Sequence, residues 1–168
     1  MHTPYSPAAA GFTYHWELER PDGTVDRWVD KNLLPTEVLN YMLSTAFRDG
    51  AKQSSWYVAI YEGNYTPTAD VTAATFPSLA TECTSYSAAT RPAYVSSAPA
   101  GGSIDNAASR AEFTATADKT IYGGALVSAA TKGSTSGVLG SIVRFASPKP
   151  FVTGSVLRCT AGAVITSL

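Results

Sequence analysis

The sequence is poor in charge and has no long apolar run, and each shortage excludes a class of protein. Only 15% of the 168 residues are charged, and 12 lysines and arginines against 13 aspartates and glutamates give a net charge of −1. Nucleic-acid binding requires clustered cationic side chains, so this balance argues against a nucleic-acid partner. No stretch reaches the roughly 18 consecutive apolar residues of a membrane span, and the first residues lack the pattern of a secretory signal peptide. We therefore expect no membrane segment and no secretion through a signal peptide.

Cysteine and histidine are equally scarce. Cys83 and Cys159 lie far apart without a Cys-x-x-Cys motif, so we expect two buried thiols in preference to a disulfide. The two histidines, His2 and His15, have no nucleophile or carboxylate placed beside them by a motif. The sequence also lacks a phosphate-binding loop, a dinucleotide fingerprint, a calcium loop and a nucleophile elbow. It predicts no enzyme activity, no catalytic residue, no cofactor and no metal.

Small residues that favour strands and turns dominate what is present. Serine, threonine and glycine number 18, 20 and 13, while 45% of residues are apolar and 11% aromatic. This composition favours strands over long solvated helices. A chain of this length buries about 70% of the surface that its unfolded form exposes, which is enough for a single core. We expect a flexible N-terminal arm at residues 1–10, which has two prolines and no strand pattern, and one β-sandwich domain at residues 11–168.

The clearest local element is a β-hairpin. Apolar and polar residues alternate from Phe12 to Leu18, which is the period of a strand with one apolar face. Pro21-Asp22-Gly23 predicts a turn, and residues 25–29 the returning strand. Glu17 and Glu19 on the polar face could be read as the carboxylate pair of a glycoside hydrolase, but pairing with Arg27 across the hairpin is the stronger interpretation.

One short α-helix is predicted near residues 36–48. Pro35 suits a first helical position, Glu37 complements the helix dipole, and Asp49-Gly50 ends the pattern. Apolar side chains recur at helical spacing, and four of them are expected to face a sheet: Leu39, Met42, Leu43 and Phe47.

The rest of the chain predicts a mainly β fold. Residues 56–61 are apolar or aromatic on both alternating sets, which suggests a central strand covered on both faces. Residues 65–80 contain two prolines and no usable period, so we expect a long surface loop. Further strands are expected near 82–86, 91–97, 109–117, 120–129, 138–146 and 151–166. Strands at this spacing predict a single-domain β-sandwich or jelly roll.

Aromatic residues and prolines outside the strand patterns are the candidate interface residues. Most aromatics, such as Trp16, Trp56 and Phe113, fall on apolar strand faces and are expected in the core. The less constrained ones lie in the arm, the long loop and the segment beyond it, and the predicted interface residues are Pro4, Tyr5, Pro7, Tyr65 and Tyr94.

A series of short motifs between residues 30 and 165 resembles a known family. In order they are Asn32-Leu33-Leu34, Trp56 to Tyr61, Asp70-x-Thr72, Tyr86, Ala89 to Tyr94, Asn106-Ala107-Ala108, Phe113-Thr114, Gly123 to Leu126, Lys132-Gly133, Gly137-x-Leu139, Phe145 and Gly154-x-x-Leu157. Together they resemble a widespread group of small virion proteins of tailed bacteriophages. Ala59 and Ser155 stand where that group carries glycine and aspartate, and the hairpin at 11–29 falls outside the resemblance.

The resemblance implies a structural role. Members of the group resemble structural head proteins, including capsid decoration (cement) subunits. It implies a non-enzymatic protein on the capsid surface of the virion, assembled in the cytoplasm of a bacterial host, with the major capsid protein and copies of itself as partners. Two alternatives stay open at this point: a tail or tail-fibre component, and a carbohydrate-binding module with exposed coplanar aromatics.

Overall fold

Strands account for 44% of the chain and helices for 10% in the computed structural model, which describes residues 8–167. The mainly β fold class is confirmed. In chain order the elements are β1 (Ala8–Glu19), β2 (Val25–Lys31), α1 (Thr36–Phe47), β3 (Tyr57–Tyr61), α2 (Phe76–Leu79), β4 (Ser103–Asp105), β5 (Ala111–Thr114), β6 (Lys119–Val127), β7 (Leu139–Phe151) and β8 (Val156–Ser167). The predicted hairpin and the predicted helix correspond to β1–β2 and to α1.

The strands form two antiparallel sheets. A five-stranded sheet has the order β2-β1-β8-β4, and β5 also pairs with β8. Strands β1 and β8 pair along their whole lengths, from Ala8 opposite Ser167 to Glu19 opposite Val156. A three-stranded sheet has the order β3-β6-β7. The two ends of the described chain therefore lie side by side in the same sheet.

The main core lies between the sheets. Alternation along β1 turns Tyr14, Trp16 and Leu18 inward, where they join Val58 and other buried residues of the three-stranded sheet. Gly124 on β6 permits this packing, because a Cβ at that position would approach the Trp16 ring to 2.6 Å. Burial of these large side chains is the main stabilising contribution to the sandwich.

Strand β3 is covered on both faces, as predicted, but it lies at the end of its sheet. Its inner residues Val58 and Ile60 face the main core, and Ala59 and Tyr61 belong to a second buried cluster on the other face. Residues 81–94 run beside its outer edge and hydrogen-bond to it, as in the 2.9 Å bond from the Cys83 N–H to the Ile60 carbonyl. The β3 edge is therefore protected by an irregular segment.

The predicted long loop covers the outer face of the three-stranded sheet. Val71, Ala73 and Phe76 are buried there, and the short helix α2 begins at Phe76. These residues form the second buried cluster with Tyr61. The segment therefore closes a second core, whereas the sequence pattern indicated only a surface loop.

Several element boundaries differ from the sequence prediction. Residues 82–86 and 91–97 form single β-bridges and not strands, while β4 was not predicted. Strand β7 continues through Pro148 and Pro150, and it is the last strand of its sheet, where prolines are tolerated. Residues 8–10, which the prediction assigned to the arm, belong to β1. Residues 1–7 lie outside the described range.

Candidate interaction surfaces

Helix α1 is anchored at its first turn by Glu37. The Glu37 carboxylate accepts hydrogen bonds from the Ala73 N–H at 2.9 Å and from the Leu139 N–H at 2.7 Å. The same turn is held by the Thr36 N–H, which donates to the Ala69 carbonyl at 2.8 Å. These contacts tie the start of α1 to the covering segment and to the start of β7.

The inner face of α1 packs against the end of the sandwich. Val38 is buried, and the Tyr41 ring lies edge-on to the Trp56 ring at a centroid distance of 5.9 Å. The Tyr41 hydroxyl accepts a hydrogen bond from the Gln53 N–H at 2.9 Å, which holds the chain that follows the helix. The buried face of α1 therefore covers a smaller part of the helix surface than the spacing of apolar residues predicts.

The outer face of α1 carries an apolar stripe. Leu39, Leu43 and Phe47 are 39%, 58% and 82% exposed, and we call these three residues the α1 stripe. The prediction that they face the sheet is wrong, and Met42, the fourth residue of that prediction, is half-buried. At about 100° per residue, the apolar positions from Val38 to Phe47 span nearly half of the helix circumference, which is more than one sheet surface covers.

Beside α1 lies an uncharged cleft of about 290 Å³. Aromatic and aliphatic side chains from α1 and both sheets line it, together with serine hydroxyls, and none of the lining residues is charged: Phe12, Val38, Tyr41, Met42, Ser54, Ser55, Trp56, Tyr94, Ser96, Ile104, Leu126 and Gly140. Its size is at the lower limit for a small-molecule site. Met42 connects the cleft to the α1 stripe, because it lies on the helix between the two.

The outer face of the five-stranded sheet carries most of the exposed ion pairs. Glu17 pairs with Arg27 at 2.8 Å, as predicted, and also with Arg158 at 3.2 Å and Arg110 at 3.4 Å. Partial burial raises the pKa of Glu17, but hydrogen bonds and charges from these arginines outweigh it, so its pKa lies below the usual value. The carboxylate is therefore held ionised by arginines. It does not have the raised pKa of a general acid.

Two carboxylates on the inner side of β2 have opposite electrostatic environments. Asp26 accepts a hydrogen bond from the Lys149 ammonium at 2.9 Å, and this bond lowers the pKa of Asp26. Asp30 lies four residues further along the strand, where burial raises its pKa despite a hydrogen bond from the Ala146 N–H at 3.3 Å. Folding therefore favours the ionised form of Asp26 and disfavours the ionised form of Asp30.

A buried ion pair joins the segment beside β3 to the loop between β6 and β7. The Arg91 guanidinium donates to both oxygens of Glu82, from Nε at 2.8 Å and from Nη2 at 2.6 Å. Arg91 also donates to the carbonyls of Ala129 and Ser134, at 2.8 and 3.3 Å. The side chains of Arg91 and Glu82 are only 1% and 2% exposed, so the pair acts as an internal clamp.

The predicted interface residues have different positions. Tyr94 is half-buried and donates a hydrogen bond from its hydroxyl to the Ala161 carbonyl at 3.1 Å. Tyr65 is half-buried against the second core, and its carbonyl accepts a hydrogen bond from Arg144. Pro4, Tyr5 and Pro7 lie outside the described residues. An interface role for these five residues stays a prediction.

Comparison with family models and with curated proteins adds no relative. No family model matches the chain, and no curated protein matches it significantly. Within residues 8–167, no three His, Cys, Asp or Glu side chains come together as a group that could hold a metal ion. None of the helices in that range is long and apolar enough to span a membrane.

The sequence patterns missed the buried pair and the exposed stripe. A signal for the first was present, because Glu82 and Arg91 are the only two charged residues between Asp70 and Asp105. Two isolated opposite charges in an otherwise uncharged stretch indicate a candidate internal ion pair. A signal for the stripe was the width of the apolar arc on α1, which exceeded what one sheet can cover.

Proposed function

We propose that this protein is a non-enzymatic structural component of a phage virion that decorates or clamps the capsid, with the major capsid protein and copies of itself as partners. The observation that carries the proposal is the location of the residues behind the resemblance. Most of them fall on one connected internal framework, formed by β3, the segment beside it, β6, β7, the loop between them, and the residues that meet at β5 and β8. A resemblance made of short motifs gains weight when those motifs support one another in space.

The loop between β6 and β7 is one part of that framework. The Lys132 ammonium donates to the carbonyls of Thr84 and Tyr86, at 3.2 and 2.8 Å, and lies 3.8 Å from the centroid of the Tyr86 ring. The Gly133 N–H donates to the Glu82 carboxylate at 3.0 Å. Lys132, Gly133 and Arg91 belong to the resembling motifs, and here they hold two distant segments together.

A second part of the framework meets at β8. The Asn106 side chain accepts a hydrogen bond from the Ala161 N–H at 2.7 Å and donates one to the Cys159 carbonyl at 3.2 Å. Tyr94 donates to the carbonyl of the same Ala161. These motif residues fix backbone positions inside the protein, which is the role expected of a rigid structural subunit.

The outer surface is suited to assembly. The α1 stripe exposes three large apolar side chains, and exposed apolar surface marks contact sites on soluble proteins. A subunit present in many copies on a lattice gains avidity, so no single contact has to be strong. A small exposed stripe is sufficient for attachment under those conditions.

The carbohydrate-binding alternative has less support in the geometry. The aromatic rings that line the cleft would have to present a flat platform for a sugar ring. Tyr41 and Trp56 instead stand at 73° to each other. The fold does not distinguish a tail component from a capsid component. The number of copies in each particle distinguishes them.

Quantitative mass spectrometry and cryo-electron microscopy of the purified phage particles test the proposal. We expect the protein in the particle at a copy number comparable to that of the major capsid protein, with density on the outer capsid surface. Absence from the particle, or a small copy set confined to the tail, contradicts the capsid assignment. Binding on a glycan array together with absence from the particle would favour the carbohydrate-binding alternative.

A further inference from the structure

The dipeptide Asp-Gly occurs twice in the chain, at Asp22-Gly23 in the turn between β1 and β2 and at Asp49-Gly50 after α1. An aspartate reacts most readily with its own main chain when glycine follows it, because glycine has no side chain to hinder attack by its nitrogen. The product is a succinimide ring. Water opens this ring either to aspartate or to isoaspartate, in which the main chain runs through the former side chain.

We propose that Asp49 is a site of spontaneous isoaspartate formation in the folded protein, whereas the turn protects Asp22. In this reaction the Gly50 nitrogen bonds to the Cγ of Asp49 and loses its proton, the carboxyl group loses its hydroxyl, and one water molecule leaves. Hydrolysis at the main-chain carbonyl of Asp49 takes one water molecule up and gives isoaspartate. No other reactant is needed. The altered residue lies two positions beyond Phe47, and the inference goes beyond the proposed function without resting on it.

Hydrogen bonds hold both reacting groups at Asp22. Its carboxylate accepts bonds from the Thr24 hydroxyl at 2.7 Å and from the Thr24 N–H at 2.9 Å. The nitrogen that would attack, that of Gly23, donates to the Arg20 carbonyl at 2.9 Å. The two bonds from Thr24 also lower the pKa of Asp22, and this reduces the protonated fraction from which water leaves. Ring closure at Asp22 must therefore break the turn.

The reacting groups at Asp49 are less restrained. The Asp49 side chain is exposed, and within residues 8–167 no hydrogen bond holds its carboxylate. The Gly50 N–H donates to the Ser44 carbonyl at 3.3 Å, and that carbonyl already accepts a bond from the Arg48 N–H at 2.9 Å. The attacking nitrogen is therefore held by one long, shared hydrogen bond, which is easier to open than the turn at Gly23.

The product is also easier to accommodate at Asp49. Isoaspartate adds one atom to the main chain, and after Asp49 the chain is irregular and mostly exposed up to its next anchor, the 2.9 Å bond from the Gln53 N–H to the Tyr41 hydroxyl. The hairpin turn is closed by a 2.8 Å bond from the Arg20 N–H to the Thr24 carbonyl, and an added atom there would disrupt it. Isomerisation at Asp49 should therefore leave the protein folded.

Peptide mapping of the full chain after incubation at neutral pH tests the inference. Cleavage after lysine places Asp22 in the peptide 1–31 and Asp49 in the peptide 32–52, and electron-transfer fragmentation distinguishes isoaspartate from aspartate. In the folded protein we expect isoaspartate to form about tenfold faster at Asp49 than at Asp22, because fewer hydrogen bonds must open. The same chain in denaturant is the reference, since both sites should react there at similar rates.

Two variants separate the contributions of the two sites. Thr24→Val removes the hydroxyl that holds the Asp22 carboxylate and keeps the branched side chain, so it should raise the rate at Asp22 and leave the rate at Asp49 unchanged. Asp49→Glu keeps the charge but moves the carboxyl group one carbon further from the Gly50 nitrogen, so the isoaspartate signal of the peptide 32–52 should disappear. Circular dichroism checks that both variants are folded, which we expect because Thr24 and Asp49 are exposed.

The inference is overturned if the ratio of the two rates is the same in the folded and the denatured chain, or if Asp22 isomerises faster in the folded chain. It is also overturned if Asp49 forms isoaspartate only in denaturant, because the Ser44 bond would then be sufficient to protect it. An unchanged rate at Asp22 in Thr24→Val would refute the protection assigned to the Thr24 hydroxyl. These measurements use the purified protein, so their failure does not affect the test of the proposed function on particles.

Discussion

Replacing Arg91 by methionine tests the internal clamp. Methionine keeps most of the length of the arginine stem but removes the guanidinium and its four hydrogen bonds to Glu82, Ala129 and Ser134. The Glu82 carboxylate then keeps one donor, the Gly133 N–H. A buried carboxylate is left without its counter-charge, and two carbonyls lose their partner.

The magnitude follows from burial. Removing one partner of a buried ion pair costs about 3 to 5 kcal/mol, because the remaining charge stays out of water without compensation. An exposed pair of the same geometry contributes about 0 to 1 kcal/mol. Arg91 and Glu82 are nearly inaccessible, so we expect Arg91→Met to lower the free energy of unfolding by about 3 to 5 kcal/mol.

The assay is denaturant unfolding followed by fluorescence of the three tryptophans. Arg27→Met is the matched control, since Arg27 also places its Nε 2.8 Å from a glutamate oxygen but is 69% exposed. The control should lose about 1 kcal/mol or less. The difference between the two variants measures the effect of burial on the same hydrogen bond.

A double variant checks the mechanism. If the uncompensated charge causes the loss, Arg91→Met combined with Glu82→Gln should be destabilised less than the sum of the single variants. It should still be less stable than the natural protein, because the carbonyls of Ala129 and Ser134 remain without a donor. A loss below about 1 kcal/mol for Arg91→Met would refute the reasoning.

Four further variants and one labelling experiment test other parts of the structure. At pH 7, Asp26→Asn should lower the unfolding midpoint, since the Lys149 bond depresses the pKa of Asp26 and its ionised form stabilises the fold; this loss should shrink as the pH falls through that depressed pKa. Asp30→Asn should leave the midpoint unchanged or raise it, because burial raises the pKa of Asp30 and ionisation above that pKa opposes folding; a clear loss at pH 7 would contradict this sign. Leu43→Ala should cost less than about 0.5 kcal/mol, against about 2 kcal/mol for Val38→Ala, and equal costs would show that the stripe is buried. Iodoacetamide should leave both buried cysteines unmodified in the folded protein at pH 8 and alkylate both after denaturation, because burial raises the pKa of each thiol, to about 11 for Cys83. A native disulfide would prevent labelling in both states.

Local patterns predicted the elements whose partners are close in the sequence. The β1–β2 hairpin follows from alternation and from a turn in which Gly23 has a φ of +82°. The Glu17–Arg27 pair follows from the register of that hairpin, in which the two residues lie opposite each other. Helix α1 follows from spacing and from Asp49-Gly50. All of these depend on interactions between residues fewer than twenty positions apart in the sequence.

Elements fixed by distant partners were not predictable in the same way. Residues 82–94 have strand-like composition but follow the β3 edge with single bridges, because Arg91, Glu82 and Lys132 direct the backbone toward the β6–β7 loop. Strand β4 has three residues and exists because β8 offers an open edge beyond β5. The local pattern of residues does not show which edge of a distant strand is free to pair.

The α1 stripe shows the same limit of sequence-based prediction for a candidate interaction surface. The spacing of Leu39, Leu43 and Phe47 predicts that they share a helix face, and they do. It does not specify what that face contacts, because Glu37 and Tyr41 fix the rotation of the helix through contacts to residues far away in the sequence. An apolar face can be completed by the protein's own sheet or by another subunit.

The placement of charge separates the internal framework from the proposed attachment surface, and this separation is testable. The clamp places an ion pair inside the protein, while α1 exposes large apolar side chains. Soluble monomers usually bury apolar side chains and expose charged ones. Arg91→Met should therefore lower the unfolding midpoint, because Arg91 is 1% exposed, whereas Phe47→Glu should leave it nearly unchanged, because Phe47 is 82% exposed. Denaturant unfolding of the two variants measures this contrast. A loss in Phe47→Glu as large as that in Arg91→Met would show that the stripe belongs to the framework.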